Sequence, residues 1–156
     1  MKASSLNLLK KELSTLPSGD LLEICMKLVK YKKENKELLT YLLFNANNEQ
    51  EYIRNIRSEI DLLFSEINPG HLYFVKKSLR KILRNMDKYI RYSGHKQTEV
   101  ELRMYYCAKL KASGIPFQSN NSLNNLFINQ LRKTRLAIET LHEDLQHDYT
   151  EELRAL

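Results

Sequence analysis

Apolar residues recur at intervals of three and four along most of the chain, the period of an α-helix. Ile53, Ile56, Ile60, Leu63, Phe64 and Ile67 make one such face, and Leu123, Phe127, Leu131, Ile138, Leu141 and Leu145 make another. Strand-like alternation of apolar and polar positions is absent. Breaks are sparse: Pro17 and Gly19, Pro69 and Gly70, Gly94, then Gly114 and Pro116 account for every glycine and proline. The polar cluster at Asn45–Asn48 adds one more. The pattern predicts seven helices, at about 4–14, 20–34, 36–44, 48–67, 69–92, 96–112 and 121–147. The second and third also read as one helix kinked near Asn35. Asp20 with Glu23, Asn48 with Glu51, and Thr98 with Glu101 have the spacing of a capping box, in which a side-chain acceptor meets a free amide of the first turn. Asn68-Pro69 reads as an N-cap followed by proline at the first helical position. Short connections imply antiparallel neighbours. The expected fold is one all-α domain over residues 1–156, with about seven helices as stacked antiparallel helical hairpins, solenoid-like or an irregular bundle. Two faint echoes, Lys30-Tyr31 with Lys88-Tyr89 and SLNLL at Ser5 with SLNNL at Ser122, do not build a sustained repeat.

Composition fits a soluble globular protein: 42% of the 156 residues are apolar and 28% charged, enough for one sizeable core. Lysines interrupt the N-terminal stretch, so it lacks the continuous apolar segment of a signal peptide. The longest apolar runs, such as Leu38–Phe44, fall far short of the roughly 20 residues that span a bilayer. Cys25 and Cys107 each sit inside a helical pattern without metal-ligand or CxxC spacing, and read as buried small apolar residues. The expected setting is reducing and cytoplasmic, with no membrane partner.

Charge changes the picture most. Between His71 and Gly114 eleven Lys/Arg face three acids, a net of +8 where the whole chain is +6. On a helix over 71–92, at about 100° per residue, Lys77, Arg80, Lys81, Arg84, Lys88 and Arg91 fall within an arc of about 100°. Leu72, Val75, Leu79, Ile82, Leu83, Met86 and Ile90 gather opposite, as a core face does. The like-charged i,i+4 pairs Lys77–Lys81, Arg80–Arg84 and Arg84–Lys88 each cost roughly 0.2–0.5 kcal/mol in an isolated helix. An anionic counterpart removes that cost. Candidate counterparts within the chain are Glu51, Glu59 and Glu66, and the acids Glu139, Glu143, Asp144, Asp148, Glu151 and Glu152 near the C-terminus, where Glu151-Glu152 reads as a fraying end. The six cations are the candidate partner-binding residues. The leading expectation is a non-catalytic interaction module whose basic face meets an acidic protein surface or a second copy of the chain. The alternative is nucleic acid held through its phosphates, with Tyr73 and Tyr92 placed to stack on bases.

Catalytic and metal motifs are missing. The four glycines are isolated helix breaks and cannot form a phosphate cradle. His142 and His147 in HEDLQH are i,i+5, about 140° apart on a helix, so they do not share the face that a zinc-protease helix needs. His71 and His95 lie beside glycines at helix starts and read as surface turn residues. No cofactor, metal or catalytic residue is expected, and an enzyme with a site assembled between helices ranks third.

The stretch LKKELSTLPSGDLLEICMKLVKYKKENKELLTYLLF (Leu9–Phe44) resembles the start of an uncharacterised bacterial family of small all-helical proteins, and TEVELRMYYCAKLKASGIPF (Thr98–Phe117) continues the similarity. The resemblance covers about a third of the chain. It implies a helical fold and brings no activity or site residues.

Overall fold

Apolar spacing of three and four does produce helices throughout. The computed structural model describes residues 2–156. Among them are eight α-helices and no strand: α1 (Leu6–Ser14), α2 (Ser18–Tyr31), α3 (Lys33–Thr40), α4 (Glu49–Ser65), α5 (Leu72–Ser93), α6 (Lys96–Ala112), α7 (Asn121–Ile138) and α8 (Glu143–Ala155). A π-helical turn at Tyr41–Asn45 and a 3₁₀ turn at Phe117–Ser119 complete the list of helical segments. The chain falls into two compact units, residues 1–44 and 45–156.

The first unit holds α1 to α3. Ser5 caps α1 by accepting from the Leu8 amide at 3.3 Å. Lys32 is extended (φ −141°, ψ 145°) and separates α2 from α3. The break therefore lies before Asn35, whose side-chain amide donates to the Leu28 carbonyl at 2.7 Å and satisfies one open end of α2. None of α1, α2 or α3 contains a buried residue, and among the described residues of this unit Tyr41 is the buried one. Cys25 is exposed, against the expectation of burial. Its neighbours Leu22, Met26 and Leu28 are exposed as well, because too little chain packs on α2 to cover it.

The second unit holds the core, with α6 at its centre. α6 buries eight residues around nearly its whole circumference, including Leu102, Tyr106, Cys107 and Leu110 at 0% exposure. α4 and α5 form an antiparallel hairpin: Glu49, at the start of α4, accepts from Ser93 at the end of α5, and the Tyr52 hydroxyl donates to the Tyr89 carbonyl at 3.1 Å. α4 runs parallel to α6 in register, with Thr98 donating to Glu49 at 2.6 Å, Arg57 to Glu101 at 2.9 Å and Tyr105 to Asp61 at 2.7 Å. α6 and α7 form the second antiparallel hairpin, closed at its turn by Phe117 and Phe127, whose ring centroids are 4.9 Å apart. Val100 and Met104 meet Ala137 and Ile138 at the other end, where Leu141, Tyr149, Leu153 and Leu156 pack from α8 and its approach.

Element ends differ from the sequence expectation where side chains find better partners than a cap. Asn48 does cap α4, accepting from the Glu51 amide at 3.2 Å. Thr98 lies inside α6, which starts at Lys96, and spends its hydroxyl on Glu49. Asp20 likewise lies inside α2, which starts at Ser18. Asn68 closes a tight turn by accepting from the Gly70 amide at 2.9 Å, and α5 begins at Leu72. The long last helix is two helices, broken at Thr140–His142, and α8 continues to Ala155 instead of fraying at Glu151-Glu152. Among the described residues no helix is long and apolar enough to cross a membrane.

Candidate functional site: the basic face of α5

α5 is amphipathic as its sequence requires. Val75, Leu79, Ile82, Leu83, Met86 and Ile90 are buried, and Leu72, at the first turn, is exposed. Gly94 ends the helix in the left-handed conformation (φ 69°), donating to the Ile90 carbonyl at 2.9 Å. A side chain there is strained, which explains glycine at this stop.

The opposite face carries the six nominated cations together. Lys77, Arg80, Lys81, Arg84 and Arg91 are exposed; Lys88 is half-buried, its ammonium 4.9 Å from the centre of the Tyr89 ring. From Lys77 to Arg91 the row is about 21 Å long at 1.5 Å per residue. No ion pair among the described residues reaches Lys77, Arg80, Lys81, Arg84 or Arg91. The acids on α4 do not cover them: Glu51 serves the start of its own helix, and Glu59 accepts from Tyr89 at 2.9 Å and Asn85 at 3.4 Å.

Alongside the row runs an open groove of about 610 Å³. Lys76, Lys77, Arg80 and Arg84 line it, with Tyr73 at one end and Leu83 and Asp87 along its floor. Tyr73 is exposed and meets Phe74 edge-on, centroids 5.4 Å apart. Tyr92 is instead half-buried and packed on Tyr89, so only one of the two tyrosines faces outward. Asp87 adds little negative charge to the groove, because Arg103 at 2.8 Å and Lys133 at 3.4 Å already pair with it.

The basic excess between His71 and Gly114 thus resolves unevenly. Arg103 is buried, bound to Glu99 at 3.0 Å, to Asp87 and to the Gln130 side-chain carbonyl at 2.6 Å. Burial pushes the Glu99 carboxyl up, but hydrogen bonds from Lys96 and Arg103 outweigh it and hold the group below its usual range. Lys109 pairs with Asp61 at 2.9 Å. These cations are spent inside the fold, and α5 keeps the uncompensated ones. Comparison with known proteins finds no match: no family model, no curated protein and no solved structure is similar to this chain.

A second concave region lies between α4, α6 and α8, and it was not visible in the sequence. Its cavity, about 550 Å³, is lined by Arg57, Glu101, Tyr105 and Tyr149, among others. Most of these polar groups pair with one another, although the buried Arg57 Nε has no hydrogen-bond partner. Tyr149 donates to Glu101 at 3.1 Å and accepts from Gln97 at 3.0 Å, while Tyr105 donates to Asp61 and lies under the Arg57 guanidinium, 5.2 Å from ring centre. Burial, then the Asp61 carboxylate, pushes the Tyr105 hydroxyl up to about 12. Burial and the Glu101 charge do the same for Tyr149, also to about 12. Both remain protonated donors at neutral pH. The residues sit at i and i+4 or on separate helices, so only the packing of three helices unites them.

No group of three metal-ligating side chains exists among the described residues. His142 is the residue before α8 and lies 3.5 Å from Asp144; His71 and His95 are exposed residues preceding α5 and α6. Cys107 is buried, and that burial raises its thiol to about 12, well outside the range of a nucleophile at neutral pH.

Proposed function

We propose that the protein is a non-catalytic interaction module that binds an acidic protein surface through the outer face of α5. The observation that supports this reading is the set of five exposed cations on one face with no ion pair to satisfy them. The opposite face of the same helix is committed to the core, so beyond the exposed Leu72, Tyr73 and Phe74 of its first turn α5 presents mainly charge. An extended acidic segment or an acidic helix matches a straight row of this length, and the pairs formed steer encounter and set register more than they add affinity. A second reading, single-stranded nucleic acid, is favoured by one detail: the exposed Tyr73 ring stands at the end of the basic groove, where a base stacks and Lys76, Lys77, Arg80 and Arg84 reach phosphates.

The two are separated by titrating the protein against a fluorescently labelled acidic peptide and a labelled single-stranded oligonucleotide of equal charge, at low and rising salt. The acidic-protein reading expects the peptide to bind and R80E/R84E to weaken it about tenfold or more, two reversed contacts being worth roughly 1–2 kcal/mol. Tighter binding of the oligonucleotide, with a steep fall in affinity on adding salt, transfers the assignment to nucleic acid. No binding of either probe at low ionic strength, or equal binding by the variant, overturns the reading.

A further inference from the structure

The chain carries a second row of charge, opposite in sign, on α8. At about 100° per residue, Asp144, Asp148, Glu151 and Glu152 fall within an arc of about 100°. All four are exposed. The other side of α8 holds Leu145, Tyr149 and Leu153, and the last two pack against Val100, Met104, Ala137 and Ile138. α8 thus shares the plan of α5, an apolar side turned to the core and a charged side outward, although its apolar side is only half-buried. The cation beside its acidic row is local and exposed, Arg154 next to Glu151, and the exposed His142 lies 3.5 Å from Asp144.

The two rows cannot neutralise each other within one chain. α6 stands between their helices. It holds α5 through Arg103 and Asp87, and α8 through Gln97 and Glu101. Gln97 and Glu101 lie about 120–160° around α6 from Arg103, so α5 and α8 attach to different sides of it. No ion pair among the described residues joins them. The unit of residues 45–156 is thus a body with a basic face and an acidic face held apart by its own central helix.

We infer that the acidic surface met by α5 is α8 of a second copy of this chain. The inference rests on the reading of α5 as a protein-binding face and names the partner. The rows are opposite in sign and alike in angular width, each about 100°. Both are straight helical edges, so Asp144 to Glu152, about 12 Å at 1.5 Å per residue, lies along part of the row from Lys77 to Arg91. Contact between copies places unlike charges where each copy alone has like ones, and it relieves the repulsion within α5. Because donor and acceptor faces differ and lie on different sides of the body, the contact is heterologous and repeats head to tail, giving a ring or an open chain of copies.

The test uses the full chain, with mass measured by light scattering after size exclusion at low ionic strength and at about 1 M salt, where the Debye length is only about 3 Å. The wild type is expected to exceed monomer mass at low salt and to return to monomer at high salt. R80E/R84E and D148K/E151K are each expected to be monomeric alone. An equimolar mixture of the two is expected to associate, since the unaltered basic α5 of D148K/E151K then meets the unaltered acidic α8 of R80E/R84E. All the substituted side chains are exposed, and circular dichroism confirms that the variants are folded. A monomeric wild type at low salt overturns the inference, as does a D148K/E151K variant that assembles like wild type or a mixture that stays monomeric. The two readings fail separately: if the acidic peptide binds at α5 while the chain stays monomeric, α5 remains a protein-binding face and α8 is not its partner.

Discussion

The two cysteines show how far one residue's local sequence determines its surroundings. Both lie in helical patterns of similar apolarity, yet Cys25 is exposed and Cys107 is fully buried. Sequence spacing reports which side of a helix is apolar; it does not report whether anything packs there. A thiol reagent is therefore expected to titrate one cysteine in the native protein and two after denaturation, and C25S is expected to abolish the fast reaction. The tyrosines yield a second expectation. Tyr105 and Tyr149 are raised from an ordinary value of 10.0 to about 12, chiefly by burial, and the buried Tyr106 is raised further. A raised pKa means that the folded state holds its proton where the unfolded state has lost it. The stabilisation is complete below about pH 10 and is lost as pH rises toward 12. Alkaline titration followed by phenolate absorbance should show these tyrosines ionising late, with melting temperature falling across the same window.

At the scale of elements, α5 was the most legible segment. Its apolar and basic stripes are both local periodicities, and the structure places both where spacing put them, Leu72 at its exposed first turn excepted. The caps were less legible because a capping side chain has competitors. Asn48 has none nearby and caps; Thr98 meets Glu49 from another helix and does not. Arg103 was least legible of all. In sequence it is one of eleven cations, whereas in the fold it ties α5, α6 and α7 through Asp87, Glu99 and Gln130. Removing one member of a buried ionic cluster leaves the others desolvated without a partner, so R103A is expected to cost about 3–5 kcal/mol. R80A, on the solvent face, is expected to change stability by less than about 0.5 kcal/mol. Chemical denaturation of the two variants measures the difference.

At the scale of the molecule, burial is concentrated in residues 45–156. The first unit has three helices with no buried residue. Segments with few buried apolar contacts open at low free-energy cost. Native-state hydrogen exchange is expected to show α1 to α3 losing protection first and α6 last. Uniform protection across the chain would contradict this. The sequence alone determined the all-helical class, the amphipathic sense of α4 and α5 and the basic row, because each follows from residues three or four apart on one helix. Only the tertiary structure decided that the acids of α4 are occupied elsewhere, that Arg103 is internal, that Arg57, Glu101, Tyr105 and Tyr149 share a cavity, and that α8 lies across α6 from α5. Those are relations between residues as far apart in the chain as Arg57 and Tyr149. They depend on which faces pack together, and periodicity within a single helix carries no information about that.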